Sequence, residues 1–325
     1  CIRDRPNTSG CKFNTSSKNK VYIIGDSHME VLAFNLNGRL VKRGYQFINP
    51  KYYCVYLPGF NRFHFKTKKK VNRIDHLIGR DKQIKIREYI PYQTDNEKVI
   101  LYFHGGGYVL NSIETHDPSV AYFSEKLRTK VYSLDYSLSP ENKFPSALND
   151  AIFAIEWLAE SGHKISNISL CGDSAGAHLA ASVTHHFANE KKENVHSQFL
   201  IYPMCDPSCD YESHELFKEG YLLTKKAMRW FWEKFESSAH NQSLNTFNLM
   251  LLEGDVIIPK TIIVTAGFDP LSDEAENYAF LLHESGASVK QLHYPSLFHG
   301  FASMTRLRSA RKAVNDFLSE YKEIL

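Results

Sequence analysis

Ser174 lies at the centre of a short motif that is typical of nucleophilic catalysis. The stretch CGDSAG places one glycine two residues before this serine, Gly172, and one two residues after it, Gly176. The apolar run ISLC precedes the motif, and the helix-forming run AGAHLAASV follows it. A nucleophile on a sharp strand-to-helix turn needs this arrangement, because side chains flanking the serine would clash with the neighbouring strand and helix. We therefore predict that Ser174 is a catalytic nucleophile.

Two further residues have the types and the order that an activated serine requires. A serine hydroxyl is a weak nucleophile until a base, usually a histidine held by a carboxylate, takes its proton. On turns of this kind the partners follow in the chain order serine, acid, histidine. Asp269 comes just after the apolar run TIIVTAG, and His299 follows the next strand-like run in LHYPSLFHG. The sequence therefore predicts a catalytic triad of Ser174, Asp269 and His299.

Other titratable residues near these positions are assigned structural roles. Asp273 and Glu274 follow Asp269 closely, and we predict that both form structural hydrogen bonds in the same loop. His178 falls one helical turn after the nucleophile, where packing is the expected role.

A glycine run supplies candidate donors for a developing oxyanion. The stretch FHGGGY follows another apolar run, and backbone N–H groups without side chains beside them can approach a substrate oxygen. We predict that the amides of Gly105, Gly106 and Ala175 form the oxyanion hole. Removal of one such donor typically costs about 3 kcal/mol of transition-state stabilisation.

A second Gly-Asp-Ser, in VYIIGDSHME, ends at Ser27. The segment around it resembles the first block of the SGNH hydrolases, in which a strand also ends in Gly-Asp-Ser. The later Gly-x-Asn and Asp-x-x-His that such a site needs are missing, so we predict that Ser27 is not a nucleophile. Residues 21–70 are interpreted as an N-terminal cap or an SGNH-like remnant, and the polar residues 1–20 as a flexible tail.

Buried-strand and helix patterns alternate from about residue 84 to the end of the chain. Apolar strands that alternate with helices predict a mostly parallel sheet with helices on both faces. In such a sheet the site lies at the carboxyl ends of the strands. We predict one catalytic domain over residues 71–325, interrupted at about 207–240 by an aromatic-rich helical insertion that forms part of a cap.

The motifs together resemble the hormone-sensitive-lipase-type α/β hydrolases, the group that includes bacterial GDSAG esterases and arylacetamide deacetylases. The resemblance runs from about Ile84 to Met304 and rests on HGGGY, DYSLSPENKFPSALNDA, GDSAGAHLA, YPMCDP, GYLLTKKAMRWFW, AGFDPLSDE and FHGF. It implies the same triad and oxyanion hole, and hydrolysis of short- to medium-chain acyl esters without a cofactor. Ser137 departs from the family, which usually has an arginine there, and we expect a structural ion pair to be lost.

Composition and charge limit the other functions that the chain could have. Lys and Arg number 39 against 36 Asp and Glu, which is too balanced for a nucleic-acid partner. No stretch reaches the roughly 20 apolar residues of a membrane helix. The six cysteines lack zinc-site spacing, so we predict no metal. Cys205 and Cys209 are near enough in sequence to pair, but free thiols are expected, and Cys171 is expected to be a small buried apolar residue.

Location and assembly are only weakly indicated. A cytoplasmic protein is favoured, whereas lipid-anchored and secreted forms stay open because the chain starts at Cys1. The expected partner is a small-molecule acyl ester, and a homo-oligomer is compatible with the sequence.

Three functional alternatives remain at this stage. An amide or formamide hydrolase would use the same triad, and an acyltransferase would pass the acyl group to an alcohol. A non-catalytic ligand-binding homologue is the third, although such proteins typically lose the serine or the histidine.

Overall fold

The computed structural model describes residues 22–24, 32–34, 71–79, 83–95, 97–188, 194–238, 241, 244–252 and 257–325. The chain divides into two compact units, Cys1–Phe65 and Lys66–Leu325. In the first unit, strand β1 (Tyr22–Ile24) pairs antiparallel with strand β2 (Leu32–Phe34). Ser27, the predicted tail and most of the predicted N-terminal cap lie outside the described residues.

The second unit is built on an eight-stranded sheet with the order β10-β9-β8-β7-β5-β6-β4-β3. Neighbouring strands are parallel from β10 to β6, and β4 is antiparallel to both of its neighbours. The strands are β3 (Val71–Ile78), β4 (Ile84–Pro91), β5 (Val99–Phe103), β6 (Lys130–Leu134), β7 (Ile168–Asp173), β8 (Ser197–Ile201), β9 (Lys260–Phe268) and β10 (Val289–Phe298).

In the part of the chain that the structure describes, seven α-helices connect and cover these strands. They are α1 (Ile113–Leu127), α2 (Ser146–Glu160), α3 (Ala175–His186), α4 (Glu212–Leu216), α5 (Lys225–Phe235), α6 (Ser272–Glu284) and α7 (Arg308–Lys322). Short 3-10 turns lie at Ile165–Asn167, Leu249–Leu251 and Phe301–Ser303. None of the helices in the described part of the chain is long and apolar enough to cross a membrane.

The central strands show why the sheet needs helices on both faces. Every residue of β5, β7 and β8 is buried, although successive side chains point to opposite faces. Helix α1 packs beside α7, and α2 packs beside α3. The predicted mostly parallel sheet covered by helices is therefore confirmed.

Strand β4 departs from its sequence pattern. Its alternation of apolar and polar residues predicts a half-exposed strand, but nearly the whole strand is buried. Arg87 is buried because it binds Asp75 on β3, at 2.5 and 2.8 Å, and Glu114 on α1, at 2.7 and 2.8 Å. Glu88 likewise pairs with Lys130 at 3.1 Å. The polar side chains of this strand are thus buried against ionic partners on other elements. The alternation of apolar and polar residues along one strand cannot show such partners.

Helices α4 and α5 fall within the segment predicted to be a helical insertion. Thr224 caps α5 by accepting a hydrogen bond from the Ala227 amide at 3.1 Å. Met228, Trp232 and Phe235 follow at intervals of four and three residues and are all buried, so they form the inner face of this helix.

Candidate active site

The strand-to-helix turn at Ser174 has the strained geometry expected of a nucleophile elbow. Ser174 lies between the end of β7 and the first residue of α3, at φ 55° and ψ −120°. A non-glycine residue rarely adopts a positive φ, and the surrounding structure must hold it there. The Ser174 amide donates to the Ile201 carbonyl at 2.9 Å, and a Cβ on Gly176 would lie 2.0 Å from the Phe103 carbonyl oxygen. Strand β5 therefore approaches the turn too closely for any larger residue at Gly176.

The three predicted triad residues come together in space. His299 Nε2 lies 3.0 Å from Ser174 Oγ, and His299 Nδ1 lies 2.7 Å from Asp269 Oδ2. Asp269 follows β9, and His299 follows β10, so both side chains project at the carboxyl edge of the sheet. A carboxylate only accepts hydrogen bonds, so Nδ1 carries the proton and Nε2 is left to accept from the serine hydroxyl.

Asp269 is held in place by the loop that carries it. Its side chain is 1% exposed, and Oδ1 accepts a hydrogen bond from the Leu271 amide at 2.9 Å. The other oxygen, Oδ2, is thereby turned to His299. The arrangement is a buried, preoriented acid, which can stabilise an imidazolium without reorganising.

Tyr202 is a site residue that the motif search missed. It comes directly after β8, and its ring centroid lies 4.6 Å from that of His299, at an interplanar angle of 56°. Its φ is 38°, and its amide donates to the Val264 carbonyl at 2.7 Å. The ring therefore packs on the His299 imidazole. The available signal was its position at the carboxyl end of a buried strand, which is where this fold places site residues.

The glycine loop differs from its prediction at one position. The Gly105 amide donates to Asp173 Oδ1 at 2.9 Å, so its hydrogen already has a partner and cannot serve an oxyanion. The Gly105 carbonyl oxygen contacts His104 Nδ1 at 2.8 Å and accepts from Asn111 Nδ2 at 3.1 Å. Since the N–H of a trans peptide points opposite to its C=O, these contacts turn the Gly106 amide away from His104 and Asn111.

The direction of the Gly107 amide is also fixed by hydrogen bonds to the carbonyl of the preceding residue. The Gly106 carbonyl accepts from the amides of Val109 and Leu110, at 3.1 and 3.0 Å, which fixes the peptide that carries the Gly107 N–H. Gly107 has φ +60°, and a Cβ there would lie 2.2 Å from the Phe231 ring. Among the described residues, no hydrogen-bond acceptor is seen for the amides of Gly106, Gly107 or Ala175. These three N–H groups, rather than that of Gly105, are the unpaired donors beside Ser174.

The neighbouring polar residues form structural hydrogen bonds, although the partners of Asp273 and Glu274 lie in other segments of the chain and not, as predicted, in the same loop. Asp273 accepts from the Ser213 amide at 2.8 Å, and Glu274 accepts from the Cys205 amide at 2.7 Å. His178 is fully buried, with Nδ1 2.6 Å from the Tyr108 hydroxyl and Nε2 2.9 Å from the Phe247 carbonyl. Burial lowers the pKa of His178 to about 4, so this imidazole is neutral at neutral pH and packs rather than catalyses.

The described cysteines form no disulfide bond, and the described residues offer no metal-binding cluster. Cys171, Cys205 and Cys209 are free and buried, as predicted. Within the described ranges, no group of three His, Cys, Asp or Glu side chains has an arrangement that could hold a metal ion.

Comparison with known proteins identifies the family. A family model described as the α/β-hydrolase fold matches residues 100–303. The chain therefore belongs to this family, and the resemblance to hormone-sensitive-lipase-type hydrolases is confirmed.

Curated and solved relatives are named as esterases. The chain is 32% identical over 249 residues to the carboxylic ester hydrolase LipN of Mycobacterium tuberculosis, covering 73% of this chain and 66% of the relative. It is 30% identical over 276 residues to an arylesterase of Saccharolobus solfataricus, covering 78% and 90%. The crystal structure of a hyperthermophilic esterase from Pyrobaculum calidifontis superposes with a TM-score of 0.73 at 30% identity, over 80% of this chain and 88% of that one.

Proposed function

We propose that this protein is a serine carboxylesterase that hydrolyses short- to medium-chain acyl esters through an acyl-enzyme intermediate. The relatives named above are ester hydrolases, which supports the reaction class. The observation that carries the serine mechanism is the unbroken hydrogen-bonded chain Ser174–His299–Asp269, with spacings of 3.0 and 2.7 Å.

The first half of the reaction forms the acyl-enzyme. Ser174 Oγ attacks the ester carbonyl carbon while His299 Nε2 takes the hydroxyl proton. Asp269 holds the imidazole in the required tautomer and stabilises the imidazolium that results. His299 then returns the proton to the leaving alcohol as the carbon–oxygen bond breaks.

The negative oxygen of the tetrahedral intermediate needs donors that are already in place. The amides of Gly106, Gly107 and Ala175 are the groups that we assign to this role, because their hydrogens have no acceptor among the described residues. Ala175 is also the first residue of α3, where the helix dipole places partial positive charge.

The second half of the reaction releases the acid. Water takes the place of the alcohol, His299 accepts its proton, and the resulting nucleophile attacks the acyl carbon. Collapse of the second tetrahedral intermediate returns the proton to Ser174 Oγ.

Helix α5 supports an ester substrate of limited size. Its Phe231 ring packs on Gly107, and its Phe235 ring stacks on Tyr108 at 3.7 Å between centroids. The insertion thus packs directly on the glycine loop. We infer that α5 is part of a cap over the site and that its aromatic side chains suit short- to medium-chain acyl groups.

The test is hydrolysis of p-nitrophenyl acetate and butyrate by the wild type and by Ser174→Ala. We expect the alanine variant to lose at least about 10³-fold in kcat, because the covalent step is removed. Ser182→Ala is the matched control, because Ser182 is a buried serine on the same helix that bonds only within it and to His178. A fluorophosphonate should add to the wild type at Ser174, as seen by mass spectrometry. Undiminished turnover by Ser174→Ala would refute the proposal.

A further inference from the structure

Asp173, the residue before the nucleophile, is a buried carboxylate that binds the glycine loop. Its side chain is 11% exposed. Oδ1 accepts from the Gly105 amide at 2.9 Å and from the Tyr102 hydroxyl at 2.6 Å. His116 Nε2 lies 3.4 Å from the same oxygen. One carboxylate therefore joins the end of β7 to β5, to α1 and to the first glycine of the loop.

This carboxylate is ionised in spite of its burial. Burial alone would raise the pKa of Asp173, but the neighbouring His116 and the Tyr102 and Gly105 donors outweigh it and hold the pKa below its usual value. A buried charge with these partners is costly to disturb, since removing the carboxylate would leave the Gly105 amide without an acceptor.

The charge itself cannot help an oxyanion. A second negative charge developing near Asp173 would be repelled, so any benefit from this residue must come through geometry. Gly105 connects Asp173 to the oxyanion donors, because both of its backbone polar groups are hydrogen-bonded. Its amide donates to Asp173, and its carbonyl accepts from Asn111. With both ends of Gly105 held, the peptide that carries the Gly106 N–H has a single orientation.

We propose that Asp173 is a positioning residue, which orients the oxyanion donors of Gly106 and Gly107 by holding Gly105. The inference rests on the proposed serine esterase mechanism and extends it to a side chain that touches neither the substrate nor the triad. It assigns to the aspartate of the Gly-Asp-Ser motif a task separate from that of the serine beside it.

The experiment compares Asp173→Asn with Asp173→Leu. The asparagine keeps an oxygen that can accept from Gly105, whereas leucine has a similar volume and no acceptor. For the leucine variant we expect kcat for p-nitrophenyl acetate to fall about 10²-fold or more, the range seen for loss of one oxyanion donor, with KM within about threefold. The asparagine variant should stay within about tenfold of the wild type.

A transition-state analogue separates geometry from general damage. An arylboronic acid forms a tetrahedral anion on the serine and so mimics the tetrahedral intermediate. For Asp173→Leu we expect its inhibition constant to rise by about the factor by which kcat/KM falls. Ser197→Ala is the matched control, because Ser197 also bonds a buried partner, Ser169 at 2.9 Å, but lies at the opposite end of the strands. It should lower the melting temperature and leave both readouts unchanged. Circular dichroism and fluorophosphonate titration give the folded fraction of each variant.

Two outcomes would overturn the positioning role. One is a folded Asp173→Leu protein with kcat and boronate affinity within threefold of the wild type. The other is an asparagine variant that falls as far as the leucine variant, which would make the charge, and not the acceptor, the important property. A wild type that hydrolyses no ester would contradict the proposed function instead, and the boronate affinities of the variants would still test the role of Asp173.

Discussion

Asp269, the proposed catalytic acid, is distinguished from its neighbours by what its two oxygens face. Asp269 turns one oxygen to a loop amide and the other to His299. Asp273 lies four residues later, and its side chain instead accepts from the Ser213 amide, which ties α4 to the start of α6. Two carboxylates four residues apart thus have separate tasks, and substitution can tell them apart.

Asp269→Asn should reduce kcat by about 10³- to 10⁴-fold with the fold intact. An amide donor facing His299 Nδ1 favours the wrong tautomer and provides no charge to stabilise the imidazolium. Asp273→Asn keeps an acceptor oxygen for Ser213, so we expect kcat within about threefold of the wild type. Steady-state kinetics on p-nitrophenyl butyrate measure both. Equal losses in the two variants would show that this loop contributes stability rather than a catalytic acid.

The residues proposed as the triad could be picked out from the sequence, whereas the amides proposed as oxyanion donors could not. Ser174 and His299 each stand in a motif whose chemistry depends on the residue type and on its place after a strand. Gly105, Gly106 and Gly107 are identical in type, and the direction of each amide depends on backbone angles and on partners far away in the chain. The bond from Gly105 to Asp173 spans 68 residues, which no local pattern shows.

At the scale of elements, the departure at Ser137 has a local compensation. The Ser137 amide donates to Asp150 Oδ2 at 2.8 Å, and its hydroxyl donates to the same oxygen. The buried carboxylate of α2 therefore has a neutral partner where an arginine was expected from the family pattern. The serine at this position is evident from the sequence, but its bonds to Asp150 depend on the loop conformation.

Helix α5 provides the strongest test of packing at this scale. Phe235 is 2% exposed and lies among Tyr108, Phe144 and Phe247, with centroid distances of 3.7, 5.6 and 5.4 Å. Phe235→Ala should lower the free energy of unfolding by about 3–5 kcal/mol, because it removes a large buried ring and leaves a cavity. Urea unfolding followed by tryptophan fluorescence measures the change.

The control for this cavity is a phenylalanine of the same size on the surface. Phe280 on α6 is 65% exposed, and Phe280→Ala should change the free energy of unfolding by no more than about 0.5 kcal/mol. Because Phe235 stacks on the residue next to Gly107, its alanine variant should also lose esterase activity while it is still folded. A variant that is destabilised but fully active would show that the packing of α5 does not position the oxyanion loop.

For the whole molecule, buried histidines link stability to pH. Burial lowers the pKa of His185 to about 4, and the pKa values of His178 and His214 likewise fall to about 4. These imidazoles take up protons on unfolding, so the stability that they contribute is complete above their usual pKa of 6.5 and is lost as pH falls towards 4. Glu274 acts in the opposite direction, because burial raises its pKa well above the usual value.

A single substitution isolates one histidine from these opposing groups. His185 contacts the Asn245 carbonyl at 3.0 Å and the Tyr278 hydroxyl at 2.8 Å, and glutamine can donate and accept in its place without titrating. The stability difference between wild type and His185→Gln should therefore change in favour of the variant by about 2 kcal/mol between pH 7.5 and pH 5.0. Urea unfolding at the two pH values gives the difference. His283→Gln, at a side chain that is 71% exposed, is the control for the substitution itself. A stability difference for His185→Gln that does not change with pH would mean that this imidazole binds a proton in the folded protein as readily as in the unfolded one, contrary to its burial in a hydrogen-bonded core.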